Sequence, residues 1–306
     1  MERSRYSPVV ADEQGQIAVQ LAADHPGLTD PEYRSRRNQL AQMAADWQPG
    51  EAVPTPSYTS TEDEVWATVS SALEGLHERR AARCFLEGKG ALKLPTDRVP
   101  QLTEVTARLE PLVGFRYLPV AGLAPLRHFY ASFADGTFWS TQYLRHPSLP
   151  LYTPEPDIIH EVIGHANQLA SPAIAEIYRA FGRAVERTRS EQALRMLSRI
   201  FWFSMEFGVI VEGGELRALG AGILSSVGET ESFDQVDIRP ANLAEMANAS
   251  YDITHYQPVL YSFASMGGLE DTLGELLVGF DDDTAGRLAE AGAAAEPEQA
   301  RSPAPA

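Results

Sequence analysis

Two histidines, His160 and His165, stand five residues apart in an otherwise apolar stretch, Ile158-Ile159-His160-Glu161-Val162-Ile163-Gly164-His165. On an ideal helix of about 3.6 residues per turn their side chains point about 140° apart, so they can share one ligand only if the turn between them is widened. Gly164 is a residue that could permit such a turn. The zinc-protease pattern needs histidines four apart and fails here. A lone buried histidine is more often a hydrogen-bonded core residue than a ligand, so a third donor decides the matter.

Glu206 is a candidate for that donor, a carboxylate within Phe201-Trp202-Phe203-Ser204-Met205-Glu206-Phe207. A carboxylate buried among aromatic rings requires a hydrogen bond, an ion-pair partner or a metal. The partner is either an arginine, such as Arg199 or Arg217, or a cation shared with the two histidines. Two neutral imidazoles and one carboxylate on one side of a metal are the facial set of non-haem Fe(II) oxygenases. The same donors would also hold zinc for hydrolysis, with Glu161 as general base. A third reading is a catalytically silent helical binding protein in which these groups form a buried polar network.

Composition narrows the setting. With 44% hydrophobic and 22% charged residues in 306, the chain reads as a globular protein with one catalytic domain and loose ends. A net charge of -17 argues against a nucleic-acid partner. Arg34, Arg36 and Arg37 form a short basic cluster expected at the surface. The single cysteine, Cys84, the lack of a signal-peptide core and the lack of a long apolar run together suggest a soluble, cytoplasmic protein with no membrane span.

Residues 1–56 are rich in turn-forming residues and read as an irregular arm, with a short helix over Pro31 to Trp47, packed on a catalytic domain of residues 57–283. Thr61 and Glu64 form a candidate capping box before Val65, Val69, Leu73 and Leu76. Leu102, Val105, Leu109 and Leu112 mark another helix, and Phe115 to Val120 and Phe138 to Leu144 two short strands. Ser171-Pro172 starts a helix with a capping hydroxyl, and a further helix is expected from Glu191 to Val211. Gly213-Gly214 predicts a tight turn before a short strand over Glu215 to Ile223, and residues 284–306 are expected to be a disordered tail. The fold class is mainly α with a few short strands.

Thr153-Pro-Glu-Pro-Asp-Ile-Ile-His160-Glu-Val-Ile-Gly-His165 and Trp202-Phe-Ser-Met-Glu206-Phe-Gly resemble the pterin-dependent aromatic amino acid hydroxylases. Ala23-Asp-His-Pro-Gly27, Pro119 to Leu123, Thr141 to His146 and Gly220 to Glu229 extend the likeness over roughly residues 20 to 280. The resemblance, closest to the phenylalanine-hydroxylase branch, implies an iron(II) held by His160, His165 and Glu206, with tetrahydrobiopterin or a related reduced pterin as cofactor and dioxygen as co-substrate. It also implies that Phe129 stacks on the pterin ring, with Gly122, Leu123 and Glu161 lining that site. Arg145, assisted by Thr153 and Ser225, would take the substrate carboxylate, a role suited to a bidentate guanidinium. Trp202, Pro156, Trp139 and Ile253 would shape the pocket for the aromatic ring.

Asn167 replaces the proline usual in the family two residues after the second histidine, Trp139 stands where a histidine is common, and Phe201 where a tyrosine is. These departures leave the metal donors intact but alter their surroundings. The expected substrate is L-phenylalanine, hydroxylated at the para or meta position, with tyrosine or tryptophan as alternatives. The tail lacks the heptads of a tetramerising helix, and a monomer is expected.

Overall fold

A computed structural model describes residues 8–11, 16–153, 155–252 and 255–299. The arm is more ordered than its turn residues suggest: β1 (Val9–Ala11) and β2 (Ile17–Val19) pair antiparallel ahead of α1 (Pro31–Asp46). Asp30 starts that helix, its carboxylate accepting from the N–H groups of Glu32 and Tyr33, with Pro31 at the first helical position. Leu40, Ala41 and Ala44 are buried, and the Tyr33 hydroxyl donates to the Leu144 carbonyl at 2.9 Å, which ties the arm to the domain.

Helix α2 (Ser60–Arg80) begins earlier than expected. The capping box is Thr59 with Glu62, not Thr61 with Glu64, because Glu62 also pairs with Arg36 of α1 at 2.8 Å. Helices α3 (Arg83–Leu92) and α4 (Leu102–Val113) follow, the latter with Leu102, Val105 and Leu109 buried and Leu112 left exposed. Strands β3 (Arg116–Pro119) and β4 (Thr137–Ser140) pair parallel, with Tyr117 opposite Phe138. Helix α5 (Pro172–Arg187) starts where the Ser-Pro pair placed it, although the Ser171 side chain makes no capping bond.

Helix α6 (Glu191–Phe201) does not continue to Val211. The chain widens at Trp202–Glu206 and becomes β5 (Gly208–Glu212), where Val209, Ile210 and Val211 favour extended backbone. Gly213 and Gly214, at φ 62° and 85°, make the turn into β6 (Glu215–Ala218). With β7 (Asp237–Pro240) and β8 (Val259–Phe263) these form a sheet of order β6-β5-β8-β7, antiparallel only between β5 and β6.

Helices α7 (Met266–Val278) and α8 (Asp282–Gln299) complete the described chain. The expected disorder from residue 284 is thus corrected up to residue 299; residues 300–306 lie outside the described ones. Alanine is the best helix former, Asp282 and Asp283 sit in the first turn, Ala285 is buried, and Asn248 Nδ2 donates to the Leu288 carbonyl at 3.0 Å.

One core runs under α2, α4, α5, α6 and β3–β4, filled by Phe115, Phe133, Phe138, Tyr178, Phe181 and Phe201, each fully buried phenylalanine being worth about 1.5–3 kcal/mol of transfer free energy. Arg37, expected at the surface, is buried instead: its guanidinium bonds Glu155 at 2.8 Å and lies 3.4 Å over the Tyr143 ring. Arg34 stays exposed and Arg36 half-buried. Among the described residues no helix is long and apolar enough to cross a membrane.

Candidate metal centre and its surroundings

His160–Ala166 form a π-turn, the widened helix that the five-residue spacing demands. It brings His160 Nε2 and His165 Nε2 to 3.0 Å, with the rings nearly perpendicular at 88°. Gly164 serves close packing rather than the turn itself: a Cβ there would stand 2.6 Å from the carbonyl oxygen of Ala221, in the short helix Ala221–Leu224.

A second π-turn, Trp202–Glu206, is closed by the Phe207 N–H donating to the Trp202 carbonyl at 2.8 Å, and it delivers Glu206. Glu206 Oε1 lies 3.0 Å from His165 Nε2, and Oε2 3.6 Å from His160 Nε2. The chain passes close by at Gly220, where a Cβ would meet the Glu206 carbonyl oxygen at 2.1 Å. Donor atoms of all three residues fall within 4.8 Å of one another.

The surrounding hydrogen bonds fix the tautomers. Gln168 Nε2 donates to the carbonyls of Met205 and Leu219, so its Oε1 accepts from the Tyr178 hydroxyl at 2.5 Å. Tyr178 Oη must then accept from His165 Nδ1, 2.8 Å away, which leaves a lone pair on His165 Nε2. Ser225 Oγ donates to the Gly222 carbonyl and accepts from His160 Nδ1 at 3.0 Å, with the same result for His160 Nε2. Two imidazole lone pairs and a carboxylate therefore converge, and Glu206 Oε2 is buried without a hydrogen-bond partner. Such a set of acceptors is suited to a cation, and its types fit iron(II). The arginine reading fails, since Arg199 bonds the Ala247 carbonyl and Arg217 bonds Glu215 and the Arg79 carbonyl.

Burial pushes His160 down to about 4 against the opposing pull of Glu206; burial would raise Glu206, but the two histidines outweigh it and hold the carboxyl below its ordinary range. Burial likewise pushes His77 down to about 4. Unfolded histidines take up protons near 6.5, so between about 6.5 and about 4 the unfolded chain binds more protons than the folded one. The stability these histidines contribute is present above that window and lost as pH falls through it. The urea midpoint of metal-free protein is expected to drop steadily across the window, and a flat midpoint would contradict the assignment.

Arg145 is buried and engaged by Asp157: Nε and Nη2 each lie 2.9 Å from a carboxylate oxygen, and the Arg145 backbone N–H donates at 2.8 Å. Its Nη1 makes only a 3.5 Å approach to the Pro150 carbonyl. Burial would raise the Asp157 carboxyl, but Arg145 holds it below its ordinary range. Asp157 Oδ1 also accepts from the His160 N–H at 3.2 Å, so one carboxylate links Arg145 to the ligand turn.

The other expected residues divide. Ser225 touches His160, and the Thr153 hydroxyl donates to the Glu155 carbonyl. Trp202 stacks on Tyr251 at 4.3 Å, while Trp139 packs between Trp47 and His128, so these two tryptophans belong to different aromatic groups. Pro156 lines a crevice of about 20 Å³ with Gly122, Leu123 and Thr141, into which Val9 of β1 leans against Gly122. Phe129 packs edge-on against Phe138, which in turn meets the His165 ring at 4.9 Å. Ile253 lies outside the described residues. Trp139 Nε1 and Thr141 Oγ1, on and just after β4, are buried without hydrogen-bond partners. Glu161 is buried, and burial, then Glu206 and Asp157, push its carboxyl well above the ordinary range.

Sequence reasoning missed Asp157, Tyr178 and Gln168. Asp157 had a signal, an acid three residues before His160 at the start of a helix; Tyr178 and Gln168 had none, since they meet His165 only through the fold.

Comparisons with known proteins agree with this geometry. The profile of the family described as biopterin-dependent aromatic amino acid hydroxylase matches residues 10–277. The phenylalanine 3-hydroxylase of Streptomyces coeruleorubidus is 42% identical over 268 residues, 88% of this chain and 96% of that one. The phenylalanine-4-hydroxylase of Dictyostelium discoideum is 39% identical over 80% of this chain, but the match spans only 57% of that protein. Among solved structures, Chromobacterium violaceum phenylalanine hydroxylase, with bound iron(III) and 7,8-dihydrobiopterin, has a TM-score of 0.71 at 29% identity, covering 78% of this chain and 90% of the other.

Proposed function

Because the chain belongs to the biopterin-dependent aromatic amino acid hydroxylases, we propose that it hydroxylates the ring of L-phenylalanine, using dioxygen, iron(II) and a tetrahydropterin. The observation that carries the proposal is the convergence of two Nε2 lone pairs, each imidazole held by its own hydrogen-bonded support, with the partnerless Glu206 oxygen. The chemistry that bound iron(II) and the reduced pterin supply is the activation of dioxygen.

The protein's own residues fix the geometry. His160, His165 and Glu206 offer three donors on one side, and Ser225 and Tyr178 hold the imidazoles in the ligating tautomer. Asp157 orients the Arg145 guanidinium and leaves Nη1 for the substrate carboxylate, with Thr153 nearby in sequence. Phe129, Gly122 and Leu123 are assigned to the pterin side together with Glu161, whose carboxyl burial pushes well above the ordinary range. Trp202, stacked on Tyr251, gives the ring pocket an apolar wall, while Pro156 borders the crevice beside Gly122 and Leu123 and Trp139 packs with Trp47 and His128.

The test is parallel incubation of iron(II)-loaded protein with tetrahydropterin, oxygen and phenylalanine, tyrosine or tryptophan. Products are separated by chromatography against para- and meta-hydroxy standards. Hydroxylated phenylalanine that forms only when both iron and pterin are present is the expected result, and the isomer identifies the carbon attacked. No product from any substrate while the pterin stays reduced would sink the proposal.

A further inference from the structure

The Trp202 indole is held both on a face and at its edge. The ring stacks on Tyr251 at 4.3 Å and 14°, and Phe207 lies 4.6 Å from it. At the edge, Nε1 donates to Gln257 Oε1 at 3.3 Å. The Gln257 amide is turned by its other bonds, since Nε2 donates to the Asp252 carbonyl at 2.7 Å and to the His255 carbonyl at 2.9 Å. Carbonyls only accept and an indole N–H only donates, so all three partners agree on which end of the amide faces the indole.

Gln257 is buried, and its main chain is anchored independently of its side chain. Its backbone N–H donates to the carboxyl of Glu229, in the short helix Val227–Ser232, and β8 begins two residues later at Val259. At the other end of the same connection, the Tyr251 hydroxyl is hydrogen-bonded to Ser198 of α6. Two residues from the ends of one connection therefore meet on one indole.

That indole stands on the backbone that also carries the metal donor. Trp202 and Glu206 are the first and last residues of one widened turn, which the Phe207 N–H closes onto the Trp202 carbonyl. A wall fixed on this turn is fixed relative to the centre at which the ring is attacked, and a misplacement of about 1 Å there can cost on the order of a hundredfold in rate.

We propose that Gln257 is a positioning residue which, together with Tyr251, clamps the Trp202 indole as a fixed wall and so sharpens the pocket's preference for a single ring over a fused pair. The proposal rests on the assignment of Trp202 to the substrate's ring pocket. An indole free to turn yields to a larger substrate. One bonded at its edge and stacked on its face does not, so the clamp favours phenylalanine over tryptophan.

The test is calorimetric titration of phenylalanine and of tryptophan into the iron(II)-loaded protein, without pterin and under nitrogen. The parent protein is expected to favour phenylalanine. Gln257→Leu removes the edge bond, and the preference should fall about three- to tenfold, the worth of one neutral hydrogen bond, with iron content unchanged. Trp202→Phe removes the same bond from the other side. In that background Gln257→Leu should change the preference by less than about twofold, because no N–H is left to hold, whereas a residue that merely supports the fold would act equally in both. Tyr251→Leu strips the stacked face, should lower the preference in the same direction, and decides the matter if Gln257→Leu does not fold. Equal effects of Gln257→Leu in the two backgrounds, an unchanged preference in Tyr251→Leu, or a parent protein that does not favour phenylalanine would each overturn the proposal. The affinities need no turnover, so a parent protein that binds phenylalanine but makes no product overturns the hydroxylase reading alone, and one that binds neither amino acid overturns both.

Discussion

Replacing His165 with alanine is expected to yield a folded protein that retains almost no iron after dialysis and forms no hydroxylated product. His165 is the most enclosed of the three donors, at 1% exposure, and its Nε2 faces both His160 and Glu206. Loss of a residue that merely orients a ligand typically costs about 10–100-fold in metal affinity, and loss of the ligand itself must exceed that. Glu206→Ala should behave alike, because two neutral imidazoles hold iron(II) poorly without the charged third donor. Metal content measured by atomic absorption, beside product chromatography, checks both variants. Full iron content and normal activity in either would remove that residue from the centre.

The second large effect is expected on stability. Asp157→Ala removes the partner of the buried Arg145 guanidinium, and breaking such a pair costs about 3–5 kcal/mol because the remaining charge has no water to return to. The same change takes away an acceptor for the His160 N–H, so the ligand turn loses its first anchor. Urea denaturation should show the loss, and the KM for the amino acid should rise because Nη1 is no longer aimed. Arg145→Lys separates the two roles: it keeps a charge for Asp157 but loses the fork, so substrate binding should suffer more than stability. A destabilisation by Asp157→Ala within the roughly 0.5 kcal/mol typical of surface changes would refute this account.

These residues also show what the sequence makes legible. The three donors could be found because a histidine pair inside an apolar run and an acid among aromatics are locally improbable, and the five-residue spacing forced a widened turn that the structure displays. Tyr178 and Gln168 could not be ranked in the same way, since a tyrosine on an amphipathic helix looks like core until the fold brings its hydroxyl to an imidazole. Arg37 was misread because its partners, Glu155 and the Tyr143 ring, lie more than a hundred residues away. The alanine-rich tail was misread because low hydrophobicity was weighed above helix propensity. The capping box shifted by two residues because two overlapping candidates share one spacing and only a tertiary contact, Arg36 with Glu62, chooses between them.

The convergence of lone pairs at the two widened turns bears on the protein's lifetime in the cell. A cation that binds the folded chain and not the unfolded one stabilises the fold in proportion to its supply, by about 2.7 kcal/mol when its free concentration is a hundredfold above the dissociation constant. Molecules synthesised during iron starvation would therefore open more often and reach proteases sooner than molecules that had already captured the metal. Nutrient scarcity would lower the amount of protein as well as its activity, and the histidine pair would set abundance without any dedicated sensor.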